Sequence, residues 1–154
     1  MSWWIAESER TVTEVVPAPP DAVRDFYVDL DSLQVVHPLI VSVKELSRED
    51  LADGGYRQTY RVVDRLKLGP VSFRTAYVAA WQVPPHGDVL TEADQSPSVS
   101  LRGTVSFDPV DAGTRLTERI RISAPRPLAG FTTREAVKAH TAMLASIRAH
   151  FEKA

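Results

Sequence analysis

The stretch that most constrains this chain is its last, Thr132 to Ala154. Val137, His140, Leu144, Ile147 and Phe151 step by three and four residues, which places them on one stripe of an α-helix. Ala136, Met143 and Ala145 widen the stripe, while Arg134, Lys138, Arg148, Glu152 and Lys153 fall mostly elsewhere. Thr132 or Thr133 offers a cap, and Glu135 follows Thr132 at capping-box spacing. A helix of this length spans roughly 30 Å. It needs a broad apolar surface to lie on, and the preceding sequence reads as a sheet that supplies one.

That sheet shows in short alternating segments separated by eleven prolines and seven glycines. Arg10–Val16 suits a strand, which Pro17-Ala18-Pro19-Pro20 ends. A short helix is predicted over Ala22–Val28, with Val23, Phe26 and Tyr27 available to pack. A second short turn is capped by Ser32 and stopped by His37-Pro38. Strands follow at Ile40–Leu46, Tyr56–Leu68, Val71–Val83, Val89–Ala93, Val99–Phe107 and Thr114–Ser123. The turn from Ser47 to Gly55, Gly69-Pro70, the Asp94 to Pro97 loop and the turn from Asp108 to Gly113 separate them. Val99, Leu101, Val105 and Phe107 alternate with polar residues, as do Leu116, Ile120 and Ile122, so one face of the sheet is covered. The expected class is α+β: an antiparallel meander with its helices on one face.

The bulk numbers exclude some functions. At 154 residues the chain has the length of one domain, taken here as 1–154. A net charge of −2 gives no cationic surface for nucleic acid. With no cysteine there is no disulfide, thiolate nucleophile or cysteine metal site. The apolar start Trp3-Trp4-Ile5 is too short for a signal peptide or a membrane span, so a cytoplasmic protein is expected.

Several of these segments together resemble a known family. The first strand, Ala18-Pro19-Pro20-Asp21-Ala22-Val23, two short helices, the meander and the Gly113-Thr114-Arg115-Leu116-Thr117 hairpin before a terminal helix are similar to the START-like (SRPBCC) superfamily, in its polyketide cyclase/dehydratase-like branch. The resemblance covers nearly the whole chain. It implies a helix-grip fold, in which a curved sheet of about seven strands wraps the long helix and leaves a cavity for a small hydrophobic or amphipathic, lipid- or polyketide-like ligand. It implies no single chemistry, because the superfamily includes binding proteins, carriers and enzymes. It carries over no catalytic residue.

The candidate site residues come from strand and helix phase. His140 sits on the inward stripe, either as a donor or general base toward a ligand or as a core histidine bonded to backbone or a carboxylate. Glu118 lies between Leu116 and Ile120 on the inward phase of its strand, where a carboxylate must be paired, bonded or protonated. It binds a polar ligand head or pairs with His140 as acid and base; otherwise the strand leaves the covered region there, or a buried arginine meets it. In the long hairpin Tyr56, Gln58, Tyr60, Val62, Asp64, Leu66 and Leu68 share one phase, and Val71, Phe73, Thr75, Tyr77, Ala79 and Trp81 share its partner's. If these face the helix, Gln58, Tyr60, Thr75 and Tyr77 are the polar groups of a mostly apolar wall, the usual make-up of a small-molecule site. The opposite phase, with Arg57, Arg61, Arg65, Lys67 and Arg74, reads as a solvated outer face. The resemblance implies that the region of His37 lies near the cavity mouth, with a plain loop residue as the default reading.

His37, His86, His140 and His150 lack metal-ligand spacing, so no metal and no other cofactor is expected. Three functions remain: ligand binding or carriage, a cyclase or dehydratase using an acid/base pair in the cavity, and a protein-interaction module. The last would work through Trp3 and Trp4, which otherwise serve as packing, and it leaves a homodimer open.

Overall fold

The computed structural model describes residues 3–37, 39–96 and 98–153. The predicted last-helix end at Ala154, the helix stop at Pro38, the loop end at Pro97 and the Met1-Ser2 start lie outside them, as does the side chain of Leu68. Strand β1 (Ile5–Val16) leads into helices α1 (Pro20–Tyr27) and α2 (Leu30–Val36). Strands β2 (Ile40–Asp50), β3 (Tyr56–Leu68), β4 (Val71–Val83), β5 (Val89–Gln95), β6 (Val99–Val110) and β7 (Gly113–Pro125) follow, and helix α3 (Arg126–Glu152) ends the chain. The seven strands form one antiparallel sheet in the order β1-β7-β6-β5-β4-β3-β2. The meander runs from β2 to β7, and β1 closes onto β7 from Ile5 opposite Pro125 to Val16 opposite Thr114. This is the expected α+β helix-grip architecture.

Several boundaries differ from the sequence expectation, each for a physical reason. The last helix begins at Arg126, ahead of Thr132. Pro127 fits in its first turn, where the missing N–H has no helical partner to lose. Gly130 is solvent-exposed within it. The supposed cap residues are therefore interior: Thr133 meets the Ser8 hydroxyl at 3.0 Å, and Thr132 lines the cavity. Ala139 joins the buried stripe with Met143, Leu144 and Ile147, while Ala145 faces solvent. Helix α2 is capped by Asp29, whose carboxylate accepts from the Asp31 N–H at 2.9 Å, and Ser32 lies inside it. The hairpin β3–β4 outruns its cover: Val71 is 61% and Phe73 38% exposed, although they share the inward phase of Tyr77 and Trp81. At the other terminus Trp3 stays 80% exposed, so the packing reading fails for it.

Two features position the site. Gly113 adopts φ +137° at the β6–β7 turn, and a Cβ there would stand 2.3 Å from the Val16 carbonyl oxygen, so the end of β1 can pass only a glycine. Next to it the buried Thr114 hydroxyl donates to the Ala18 carbonyl at 2.7 Å, which ties the β1–α1 connection to the hairpin and places α1 against the sheet. The core beneath, including Val16, Val23, Val105, Leu116, Leu144 and Ile147, is almost fully buried. Helix α3 packs most closely on β1 and β7, toward one side of the sheet, and touches α2. The space left between α3 and the remaining strands is the cavity.

Candidate active site

The cavity encloses about 220 Å³. A single water needs roughly 10–15 Å³, so the space is large enough for an organic molecule. Its wall is mostly apolar, with Leu33, Ile40, Leu66, Trp81, Ile120 and Met143 among the lining residues. The polar groups come from four directions: Tyr27 and His37 from α1 and the end of α2, Tyr60, Asp64, Thr75 and Tyr77 from the β3–β4 hairpin, Thr91, Glu92 and Gln95 from β5, and Thr132, Glu135 and His140 from α3.

At the α3 side three residues form a hydrogen-bonded chain, with Tyr27 and Glu118 buried and His140 half-buried. Glu118 on β7 is 2% exposed. Its Oε2 accepts from the Tyr27 hydroxyl at 2.5 Å, and the His140 Nδ1 lies 3.1 Å from Oε1 and 3.2 Å from Oε2. With Nδ1–H donated to the carboxylate, the ring orientation is fixed and Nε2 is left free. Burial alone would lower the His140 pKa, but the charge and hydrogen bond of Glu118, helped by the charge of Asp64, hold it above the usual histidine value. Burial and the neighbouring Glu118 raise the Tyr27 hydroxyl well above the usual tyrosine value, so it remains a donor.

His37 faces this chain, its ring centroid 6.3 Å from that of His140. Burial, then the His140 charge, pushes its pKa down to about 4 against a smaller opposing pull from Glu118. It is therefore neutral at pH 7. Its Nδ1 accepts a long 3.4 Å bond from the Leu39 N–H, which puts its proton on Nε2.

The hairpin wall is different. Asp64 is 8% exposed, and its Oδ1 is the one buried side-chain nitrogen or oxygen among the described residues without a hydrogen-bond partner. Burial lifts its pKa to about 6, against the opposing influence of the nearby Tyr77 hydroxyl and the His140 charge. Tyr60 and Tyr77 are both raised by burial, Tyr60 next by Glu118 and Tyr77 next by Asp64, so their hydroxyls stay protonated. Tyr60 tilts against Trp81 at 4.8 Å between centroids.

Of the residues singled out from the sequence, the structure places Tyr60, Thr75, Tyr77 and His140 on the cavity wall, with Glu118 directly behind His140. Gln58 is buried but lies off the wall, its Nε2 donating to Glu45 at 3.0 Å. Tyr27 and Asp64 are the additions, and His37, read as a loop residue by default, lies on the wall. Asp64 shared the inward phase of Tyr60 and was readable from it, whereas Tyr27 and His37 depend on where α1 and α2 dock. Among the described residues no group of three or more His, Asp or Glu side chains has the geometry to hold a metal ion. None of the described helices is long and apolar enough to cross a membrane.

The family model described as polyketide cyclase / dehydrase and lipid transport matches residues 9–152. Solved structures share the fold at low identity. The Zhui aromatase/cyclase from a Streptomyces species aligns at 19% identity with a TM-score of 0.65, over 97% of this chain and 94% of that one. The di-domain ARO/CYC protein BexL aligns at 19% identity with a TM-score of 0.73, over 95% of this chain and 50% of its own length. TTHA0849 from Thermus thermophilus aligns at 15% identity with a TM-score of 0.71, over 97% of both chains. No curated protein matches the chain in sequence.

Proposed function

From a chain that belongs to the polyketide cyclase / dehydrase and lipid transport family, we infer an enzyme that binds a small, largely apolar carbonyl compound in the cavity and moves a proton on it with His140. The observation that carries this reading is the chain Tyr27–Glu118–His140, buried at Tyr27 and Glu118 and half-buried at His140, which spends Nδ1 on orientation and leaves Nε2 for a ligand. A neutral His140 takes a proton from carbon next to the carbonyl, and the resulting imidazolium returns it to oxygen or to carbon. The Glu118 carboxylate stabilises the charged ring, as an orienting carboxylate does in other histidine pairs. The enolate oxygen formed in between needs donors, and the Tyr60 hydroxyl and the His37 Nε2–H are among the neutral donors this wall offers. Apolar burial, at about 25 cal/mol per Å², supplies most of the binding free energy.

β-Tetralone, a bicyclic ketone, tests the reading through exchange of its α-protons in D₂O. The wild-type protein is expected to accelerate exchange over buffer, and His140→Gln to lose about 100-fold of that acceleration. The wild-type rate should rise with pH as His140 loses its proton. Because Glu118 holds that pKa up, Glu118→Gln should move the midpoint to lower pH. An apolar wall without a catalytic nucleophile also supports carriage of a ligand without reaction. Binding of β-tetralone with no exchange above buffer would favour carriage and overturn the enzymatic reading.

A further inference from the structure

Asp64 takes no part in the proton chain at Glu118, yet it is buried on the cavity wall with one carboxylate oxygen left unbonded. Such an atom costs free energy that a bound partner would recover. Its neighbours do not supply the partner. Thr75 stands opposite Asp64 in the β3–β4 register and lines the same wall, but it makes no bond to Oδ1. Tyr77 approaches the carboxyl and still leaves Oδ1 open.

The charge around the cavity points the same way. Three carboxylates line it, Asp64, Glu92 and Glu135, and no lysine or arginine is among the described lining residues. Glu92 is taken up by Arg57, with Arg102 at 3.9 Å. The His140 charge is committed to Glu118. An incoming carboxylate would therefore lose its hydration and find no cation, whereas a donor group would find an acceptor already desolvated.

We propose that Asp64 is a ligand-recognition residue, accepting a hydrogen bond from a hydroxyl or protonated amine on the bound molecule, so that the cavity selects hydroxylated or amino-substituted apolar compounds and rejects carboxylic acids. This rests on the reading that the cavity binds an apolar ligand. It names a specificity residue on the β3 wall, apart from the His140 that would carry out chemistry.

Four probes of matched shape separate the two ideas: methylnaphthalene, naphthylmethanol, naphthylmethylamine and naphthoic acid, substituted at the same ring position. Binding is measured by calorimetry at neutral pH on the wild-type protein, Asp64→Asn and Asp64→Leu, with a melting curve for each to confirm folding. The alcohol and the amine are expected to bind about tenfold more tightly than methylnaphthalene, and the acid more weakly. Asp64→Asn keeps a carbonyl acceptor, so it should retain the alcohol's advantage and lose the amine's. Asp64→Leu should erase both and bind methylnaphthalene at least as tightly as wild type does. An advantage confined to the amine and lost in Asp64→Asn supports the proposal for a cationic head group alone. Equal affinities for all four probes, or an equal loss for all four in Asp64→Leu, overturn it and leave ligand binding standing. Tightest binding of the acid also overturns it. If methylnaphthalene and the other three all fail to bind, the ligand-binding reading falls and this proposal with it.

Discussion

Glu118 on β7 and Asp64 on β3 are both carboxylates buried on the helix-facing side of one sheet, and the protein treats them in opposite ways. Glu118 has its oxygens occupied by Tyr27 and His140. Asp64 keeps an oxygen with nothing bound to it. The difference follows from what packs above each strand. Helices α1 and α3 bring donors down onto β7, while β3 faces the open part of the cavity. A satisfied buried carboxylate organises its neighbours, and an unsatisfied one stays available to a ligand.

The largest expected effect comes from removing each carboxylate in turn. Glu118→Leu leaves the Tyr27 hydroxyl and the His140 ring without their partner, and should cost about 3 kcal/mol of stability in urea unfolding. Asp64→Leu removes an uncompensated polar group and should be neutral or stabilising by about 1 kcal/mol. Equal losses from the two substitutions would break the contrast.

A smaller effect is expected in the pH dependence of stability. The folded-state pKa of Asp64 is raised to about 6 from the ordinary 3.8, so the folded protein holds this proton more tightly than the unfolded chain. The stability that this provides is fully present below about pH 3.8 and is lost as pH rises through 6. Asp64→Asn lacks that loss. Its stability relative to wild type should therefore climb between about pH 4 and pH 6 and then level off, which urea unfolding at a series of pH values measures. A flat difference across that window would mean that burial does not lift this carboxyl.

How much of this was legible in the sequence depended on whether a residue's neighbours were local. The strand phases of Leu116, Glu118 and Ile120, and of Tyr60 and Tyr77, show the sheet and its inward face, because alternation is a property of the strand itself. The helical stripe through His140, Leu144 and Ile147 is local in the same sense. The Glu118–His140 contact follows once stripe and strand are laid together. Tyr27 is different: its role rests on a bond to a residue 91 positions away, made only because Thr114 and Gly113 hold the start of α1 against the sheet. His37 likewise depends on where α2 ends over the cavity. The start of α3 misled because Thr132 and Glu135 match a capping box, while Pro127 and Gly130 look like breakers and are tolerated in the first turns of an already anchored helix.

The central claim is that Glu118 sets the ionisation and orientation of His140. An NMR titration of the His140 imidazole in wild type and Glu118→Gln tests it most directly. The account predicts a wild-type midpoint above 6.5, with the neutral ring protonated on Nδ1. It predicts a lower midpoint once the carboxylate is replaced and burial is opposed only by the charge of Asp64. The pair's stabilising contribution should accordingly be complete below pH 6.5 and be lost as pH rises through the wild-type midpoint. A wild-type midpoint at or below 6.5, or one that Glu118→Gln leaves in place, would contradict it.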